Sequence, residues 1–323
     1  MGYEVDFFPV VTGGAAVTVR WGTPGRYKVM VYDGGTRASG ERVVEHLRAH
    51  CKIQRVDYLV SSHPDPHHAE GLACVLERLT VGELWMHRPW TRTEHGPGWK
   101  AAHRVEQLAL DKGIPIHEPF AGAAIGPFTV LSPQRQWYLE SLLPAFSAVP
   151  SLHGLTRWVR YAVAALGRPW ELEPLPRAQV PVRAQDQSSA VLYGEFEGRG
   201  VMLTGDAGME ALEEACSFAE QLGFRIPLNL RLLQVPHQGR PEHLSSALLD
   251  RIVGGRQPQE QRLRAKSAFI SVARHAPPSS YRVVTDALKR RGALSFATEE
   301  VQLQHSHEMP ERGWRQAGAV DRL

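Results

Sequence analysis

The sequence has few cysteines, little net charge and no long apolar run. Its 323 residues include only three cysteines (Cys51, Cys74 and Cys216) and no CxxC pair, which excludes a cysteine-rich zinc module and favours a reducing cytoplasm. The formal net charge of +3 does not by itself indicate a nucleic-acid binder. The amino terminus lacks a basic segment followed by an apolar stretch, and no run of about 18 apolar residues occurs. We therefore expect neither a signal peptide nor a membrane span.

Histidine is the residue type that stands out, with 15 copies. The apolar fraction of 43% and the charged fraction of 22% are those of an ordinary soluble globular protein. The length fits two domains or one large sandwich or barrel. Residues 225–291 contain 13 Lys and Arg against 4 Asp and Glu. That stretch either attracts phosphates or forms solvated helix faces, and the sequence leaves both open.

Both halves of the chain alternate short apolar strands, tight turns and helices. In the first half, the strand Val56–Val60 precedes a helix predicted at Ala69–Leu79. In the second half, Ala190–Glu197 and Gly200–Thr204 predict a hairpin, and Leu230–Val235 predicts a buried strand. This shared order favours a two-sheet sandwich with helices outside.

Residues 133–187 differ in pattern from the sequence on either side. Two helical stretches, Gln136–Leu143 and His153–Leu166, lead into a proline-rich connector, which we interpret as an insertion that serves either as a lid or as a linker. Its aromatic and basic side chains either stack on bases or belong to a core; they are Trp137, Tyr138, Trp158, Tyr161, Arg157 and Arg160. We expect the main domain to span residues 1–304 and a polar, poorly ordered tail to follow over 305–323.

One loop carries four potential metal ligands within six residues. The strand VDYLV runs into His63, Asp65, His67 and His68, and imidazole nitrogens and carboxylate oxygens are ligands suited to zinc, manganese or iron. The H-x-D-x-H-H spacing allows alternate side chains of an extended loop to point to one side. We expect the prolines among them to hold the loop out of helical geometry. The pattern predicts a metal site.

Two later strand ends present similar groups. Asp206 follows a strand and a glycine, and its alternative role is to cap the next helix. His237 follows the strand LLQV. Ser61, Ser62 and Thr204 are candidates for orienting the ligands by hydrogen bonds.

These motifs resemble the metallo-β-lactamase superfamily, and within it the branch similar to the hydrolase domain of the competence protein ComEC. The matching segments are PVVTGGAA at 9–16, VYDGG at 31–35, SHPDPHH at 62–68, LSP at 131–133, MLTGD at 202–206 and QVPHQG at 234–239. The resemblance implies an α/β fold of the αββα sandwich type, with two mixed β-sheets and helices outside. It also implies a bacterial metal-dependent hydrolase.

The resemblance further implies roles for particular residues. One divalent ion, zinc or manganese, is expected on His63, Asp65 and Asp186, although Asp186 fits equally well as the cap of a turn. The second is expected on His67, His68 and His237. Asp206 would bridge the two ions, and Asp65 and Asp206 would thereby take part in catalysis. Such a pair activates a bridging water, so the lack of a G-x-S-x-G motif does not argue against an enzyme. His275 either touches a leaving group or is a surface histidine.

Three positions depart from the family pattern. His67 stands where an acidic ligand is usual, Ala15 replaces an acidic residue of the first glycine turn, and Gln238 replaces the second histidine of the H-H-G motif. An imidazole at position 67 changes the charge of the site and favours zinc. The other two changes remove groups that would support the metal or touch the substrate.

The combined evidence predicts a dinuclear phosphodiesterase or nuclease acting on DNA or RNA. The alternatives are a hydrolase of a small ester, lactone or amide, and a degenerate metal-binding subunit without turnover. The family's associations also suggest a partner such as an ATPase in a bacterial defence or DNA-handling system. We expect a cytoplasmic protein that does not bind membranes.

Overall fold

Two mixed β-sheets organise the residues that the computed structural model describes, which are 1–93, 99–147, 173–258 and 265–312. The first sheet has the order β14-β1-β2-β3-β4-β5-β6 and the second β13-β12-β11-β10-β9-β8-β7. The strands of the first sheet are β1 (Gly2–Phe7), β2 (Ala16–Gly22), β3 (Lys28–Gly34), β4 (Arg55–Val60), β5 (Thr80–Trp85), β6 (Ile116–His117) and β14 (Leu303–His307). Those of the second are β7 (Ala124–Ile125), β8 (Phe128–Ser132), β9 (Val191–Phe196), β10 (Arg199–Leu203), β11 (Leu230–Gln234), β12 (Lys266–Ile270) and β13 (Ala293–Ala297).

The two sheets repeat one pattern of connections. In the first sheet β1, β2 and β3 pair antiparallel, whereas β3, β4, β5 and β6 pair parallel. In the second, β7 to β10 pair antiparallel and β10 to β13 parallel. Tight turns join the antiparallel strands, whereas parallel neighbours require longer crossovers, usually helical. The repeated order predicted from the sequence is therefore confirmed.

Helices cover the outer face of each sheet. They are α1 (Arg37–Ala49), α2 (Pro66–Arg78), α3 (Lys100–Asp111), α5 (Met209–Gln221), α6 (Ile226–Asn229), α7 (Ser246–Ile252) and α8 (Arg282–Lys289), whereas the short helix α4 (Ala184–Gln187) packs beside residues 138–147 and the start of the site. A core between the sheets joins Tyr3 and Phe7 to Phe128 and Phe269. Separate cores pack α1 to α3 on the first sheet and α5, α7 and α8 on the second. The expected αββα sandwich is confirmed.

Helix α2 begins earlier than expected and changes the geometry of the histidine-rich loop. Pro66 is its first residue, and the Asp65 side chain caps it by accepting a hydrogen bond from the backbone N–H of His67 at 2.9 Å. The predicted extended loop is therefore wrong beyond Asp65. Proline fits the first helical position because no hydrogen bond is needed there, and aspartate is a favoured cap.

The predicted tail contains the last strand of the first sheet. Residues Leu303–His307 form β14, which pairs antiparallel with β1 from Tyr3 to Phe7. The expected boundary between 304 and 305 is wrong, because it cuts this strand. The strand could not be predicted from its apolar pattern, because residues 304–307 are polar and an edge strand needs only one buried face. Among the described helices, none has the length and apolar character needed to cross a membrane.

Part of the predicted insertion is described. Short helical turns run from Arg135 to Ser147, so the helix predicted at Gln136–Leu143 is confirmed in outline. Tyr138, Leu142 and Phe146 pack with Trp99 in an aromatic cluster that also touches Ala184 of α4. The helix predicted at His153–Leu166 lies outside the described residues, as do Arg157, Trp158, Arg160 and Tyr161.

Candidate metal centre

The candidate ligands gather where parallel strands of both sheets end. Asp33 lies at the end of β3, and His63 follows β4. Asp206 follows β10 and His237 follows β11. The carboxyl ends of neighbouring strands meet at one edge of a sheet, and sites in α/β folds form at such edges. The sandwich brings the edges of its two sheets together here.

His63, His68 and Asp206 form the first triad. One potential ligand atom from each lies within 4.8 Å of the others, and all three residues are buried. Nε2 of His68 lies 3.3 Å from Oδ2 of Asp206. The rings of His63 and His68 are 4.4 Å apart between centroids.

Hydrogen bonds fix which nitrogen each histidine of the first triad presents. Asp33 accepts a hydrogen bond from Nδ1 of His68 at 2.7 Å and another from the Ser62 hydroxyl at 2.7 Å. The Ser62 oxygen in turn lies 2.9 Å from Nδ1 of His63 and accepts from it. The His63 ring therefore carries its proton on Nδ1 and presents the lone pair of Nε2, whereas the His68 ring turns its Nε2 toward Asp206, and the nearby Asp206 and Asp33 raise the pKa of His68 well above its usual value. Ser62 thus makes a hydrogen bond to a candidate ligand, as the proposed orienting role requires.

The first triad fits a metal ion. Nε2 of His63 and Nε2 of His68 are buried and lack a hydrogen-bond partner within the described chain. A buried polar atom without a partner costs about 1–3 kcal/mol, and a divalent ion would satisfy both nitrogens at once. Two imidazoles and a carboxylate are a usual donor set for zinc or manganese.

Asp186, His237 and His243 form the second triad, whose candidate atoms also lie within 4.8 Å of one another. His243 donates from Nδ1 to the backbone oxygen of Asp206 at 3.1 Å, which leaves its Nε2 lone pair free for a ligand. The rings of His237 and His243 stack with centroids 4.3 Å apart.

His237 connects the two triads. Its Nδ1 lies 2.6 Å from Oδ2 of Asp206, the atom that also faces His68. The backbone of His237 and Gln238 is left-handed, with φ of 43° and 57°. Non-glycine residues adopt this conformation at a cost, and such strain clusters at functional sites. The turn directs the His237 ring back toward Asp206.

Burial and neighbouring charges set the ionisation of the centre. Burial and the neighbouring His68 lower the pKa of His63. Burial opposes charge on Asp206, but His237 and His68 outweigh it and hold the pKa of this carboxyl well below its usual value. Burial, together with the neighbouring His237, lowers the pKa of His243 to about 3 despite the nearby carboxylates. The centre thus offers neutral imidazoles at His63 and His243 around an ionised Asp206.

Arg183 contacts two of the predicted ligands. Its guanidinium donates to both oxygens of Asp186, at 2.6 and 3.2 Å, and to Oδ2 of Asp65 at 3.3 Å. Asp65 is thereby occupied by Arg183 on one oxygen and by the cap of α2 on the other. It belongs to neither triad.

Besides Asp65, the structure leaves two more predicted site residues outside both triads. His67 is exposed, with Nδ1 3.3 Å from the hydroxyl of Thr12. Successive helical residues point about 100° apart, so the start of α2 buries His68 and turns His67 outward. His275 is exposed in a left-handed turn after β12, with φ of 66°. The structure therefore groups His68 with His63, and His237 with Asp186, rather than His67, His68 and His237 together.

Two residues that sequence reasoning did not assign take part in the centre. Asp33 was visible as part of the Asp-Gly-Gly turn, but its bond to His68 depends on the pairing of β3 with β4. His243 follows His237 by six residues without any motif. The alternative role of Asp206 as a cap does not apply, because Gly208 occupies the cap position of α5.

The departures from the family pattern lie together in space. The first glycine turn approaches the backbone of His67 so closely that a Cβ on Gly14 would meet its oxygen at 1.9 Å. A Cβ on Gly13 would lie 2.9 Å from the side-chain amide of Gln238. Two of the three departures, His67 and Gln238, therefore lie against the first glycine turn, which leads into the third, Ala15.

Comparisons with known proteins find matches among solved structures. No family model matches the chain, and no curated protein matches it. Among solved structures, the metallo-beta-lactamase fold protein YhfI from Bacillus subtilis is 9% identical, with a TM-score of 0.49, over 95% of this chain and 100% of that one. A diphosphatase from the PhnP family is 12% identical, with a TM-score of 0.39, over 95% and 98%. The Rm3 metallo-beta-lactamase is 17% identical, with a TM-score of 0.23, over 38% and 50%.

Proposed function

We propose that the chain is a metal-dependent hydrolase of the metallo-β-lactamase superfamily that cleaves phosphodiester bonds in DNA or RNA. One observation carries the proposal. Two buried imidazoles present unpartnered Nε2 atoms beside an ionised Asp206. A bound metal ion would satisfy these two nitrogens, whereas burying them without a partner costs free energy.

The two triads supply the ligands for two ions. The first triad would hold one ion and the second triad the other, with Asp206 between them because its Oδ2 faces both His68 and His237. Bound divalent ions would supply Lewis acidity and a water nucleophile at neutral pH. The protein's part is to fix the imidazole tautomers through Asp33 and Ser62, and to keep Asp206 ionised.

Positive charge near the centre favours an anionic substrate. Arg240 is exposed and acts on the pKa of His237, so it lies near the second triad. Arginine is well suited to phosphate oxygens, which supports a phosphodiester over a neutral ester, lactone or β-lactam.

A panel of substrates tests this proposal. The purified protein, loaded with manganese or zinc, is incubated with single- and double-stranded DNA, RNA, an aryl ester, a lactone and a β-lactam. We expect cleavage of at least one nucleic acid, and loss of that cleavage in Asp206→Ala. Turnover of only the ester, the lactone or the β-lactam would contradict the proposed phosphodiester substrate and favour the small-substrate alternative. Metal binding without any turnover would indicate the degenerate metal-binding subunit.

The partner subunit is a separate proposal, suggested by the family resemblance alone. Co-purification from the native host, followed by mass spectrometry, tests it. Recovery of an ATPase in a fixed ratio would support the association, and recovery of the chain alone would contradict it.

A further inference from the structure

The guanidinium of Arg183 occupies the carboxylate of the second triad. It forms a two-pronged contact with Asp186, from Nη2 to Oδ1 at 2.6 Å and from Nε to Oδ2 at 3.2 Å. Such paired contacts are among the stronger charge-assisted hydrogen bonds. Asp186 is buried, and it is the sole carboxylate of its triad. A metal ion on the second triad would therefore share its charged ligand with a cation that the protein itself provides.

Arg183 cannot release Asp186 by losing its proton. Burial disfavours its charge, but Asp186 and Asp65 more than compensate and raise the pKa of Arg183. It is thus a permanent positive charge in direct contact with the ligand. A divalent ion on Asp186 would be repelled by that charge, and the repulsion is strong where the surroundings are partly dry.

The first triad is free of this competition. The hydrogen bonds of Arg183 go to Asp65 and Asp186, and none among the described residues goes to His63, His68 or Asp206. The carboxylate of the first triad, Asp206, is contacted instead by the imidazoles of His68 and His237. The two triads therefore differ in the partner of their carboxylate: imidazoles, which can give up a proton, contact Asp206, whereas a permanently charged guanidinium contacts Asp186.

We infer that Arg183 competes with the second metal ion for Asp186, so that the two triads bind metal with unequal affinity. The first triad fills first, and the second fills only at higher metal concentration. The inference rests on the proposed metal centre. It assigns Arg183 as a residue that sets metal occupancy rather than as a ligand.

Calorimetric titration of the metal-free protein with cobalt(II), paired with cobalt absorption spectra, tests the inference without any assay of turnover. For the wild type we expect two binding steps whose dissociation constants differ by at least about 100-fold. Arg183→Met should tighten the weaker step by at least about tenfold and leave the stronger step unchanged. The affinity of the weaker step in Arg183→Lys should lie between those of the wild type and Arg183→Met, because a lysine keeps the charge but cannot form the two-pronged contact.

Arg240→Met is the matched control. It removes the same charge from the neighbourhood of His237 without touching Asp186 in the contacts that the structure describes. We expect it to shift the weaker step by less than about threefold. Circular dichroism and thermal melting of each variant establish that it is folded, and Arg183→Lys keeps the test available if Arg183→Met does not fold.

Three results would overturn the inference. Equal affinities in the wild type would show that no asymmetry exists. A weaker second step in Arg183→Met would show that Arg183 positions Asp186 for the metal instead of competing for it. An equal shift in Arg240→Met would reduce the effect to general charge. Absence of any metal binding in all variants is a different outcome, because it would remove the proposed function as well.

Discussion

Asp33 accepts a hydrogen bond from Nδ1 of His68 at 2.7 Å, and this contact decides which nitrogen of His68 faces the first triad. We expect Asp33→Asn to weaken metal binding at the first triad about 10–100-fold, as removal of such outer partners usually does. An amide holds the proton of Nδ1 less firmly and can present its own N–H instead. Cobalt titration measures the change.

Asp57→Asn is the control for this substitution. This substitution also replaces a carboxylate by an amide in the first sheet. Asp57, however, accepts hydrogen bonds from Lys28 and from the backbone N–H of Val29 and does not contact His68 in the described structure. It should leave metal affinity unchanged. Equal affinities for Asp33→Asn and the wild type would show that Asp33 does not govern His68.

Adjacent histidines on α2 should behave oppositely. His68 is buried in the first triad, whereas His67 is exposed and lies outside both triads. We expect His68→Ala to lose one bound ion and His67→Ala to keep the wild-type metal content, as measured by elemental analysis after dialysis. Loss of an ion in His67→Ala would contradict this expectation and support His67 as a metal ligand, as the family resemblance implies.

His87 should make the protein less stable in acid. It is buried against Phe120 and Tyr138, and burial lowers its pKa to about 3. Between pH 6.5 and 3 the unfolded chain therefore binds a proton at this residue that the folded chain does not, so stability rises with pH across that window. His87→Phe should remove up to about 1.4 kcal/mol per pH unit from this slope.

Chemical unfolding at several pH values measures the slope. An identical slope for His87→Phe and the wild type would show that folding does not change the pKa of His87.

The distance between α2 and β3 depends on close contact between two glycines. A Cβ on Gly71 would meet the backbone oxygen of Gly34 at 1.9 Å, next to Asp33. Gly71→Ala should destabilise the fold by about 3 kcal/mol, because neither backbone can move without displacing the site. Gly255→Ala, with open space at that position, should change stability by less than about 1 kcal/mol. A similar effect of both substitutions on the free energy of unfolding would contradict this account.

The sequence was sufficient for the layers of the fold because its strands are short, apolar and bounded by glycine turns. It failed at β14, where Gln304 and His305 lie on an edge strand with little apolar character. It also misplaced the start of α2, because Pro66 was taken to prevent a helix when it stands at the first position, where proline is favoured.

The candidate site was predictable where a strand end carried its own ligand. His63, Asp206 and His237 each follow a strand closely, His68 lies in the first turn of the next helix, and the structure brings the four together. His243 was not predictable, because it reaches the centre from a turn of its own after Pro241. The role of Arg183 depends on its two-pronged contact with Asp186, three residues later, and on a contact across 118 residues with Asp65, neither of which follows from a motif.

Metal-dependent cleavage of a labelled oligonucleotide tests the central claim most directly. The protein is stripped with a chelator, reloaded with manganese or zinc, and compared with Asp206→Ala treated in the same way. The account predicts that cleavage disappears on stripping, returns on reloading, and never appears in Asp206→Ala. Cleavage that survives stripping, or that Asp206→Ala retains at the wild-type rate, would contradict it.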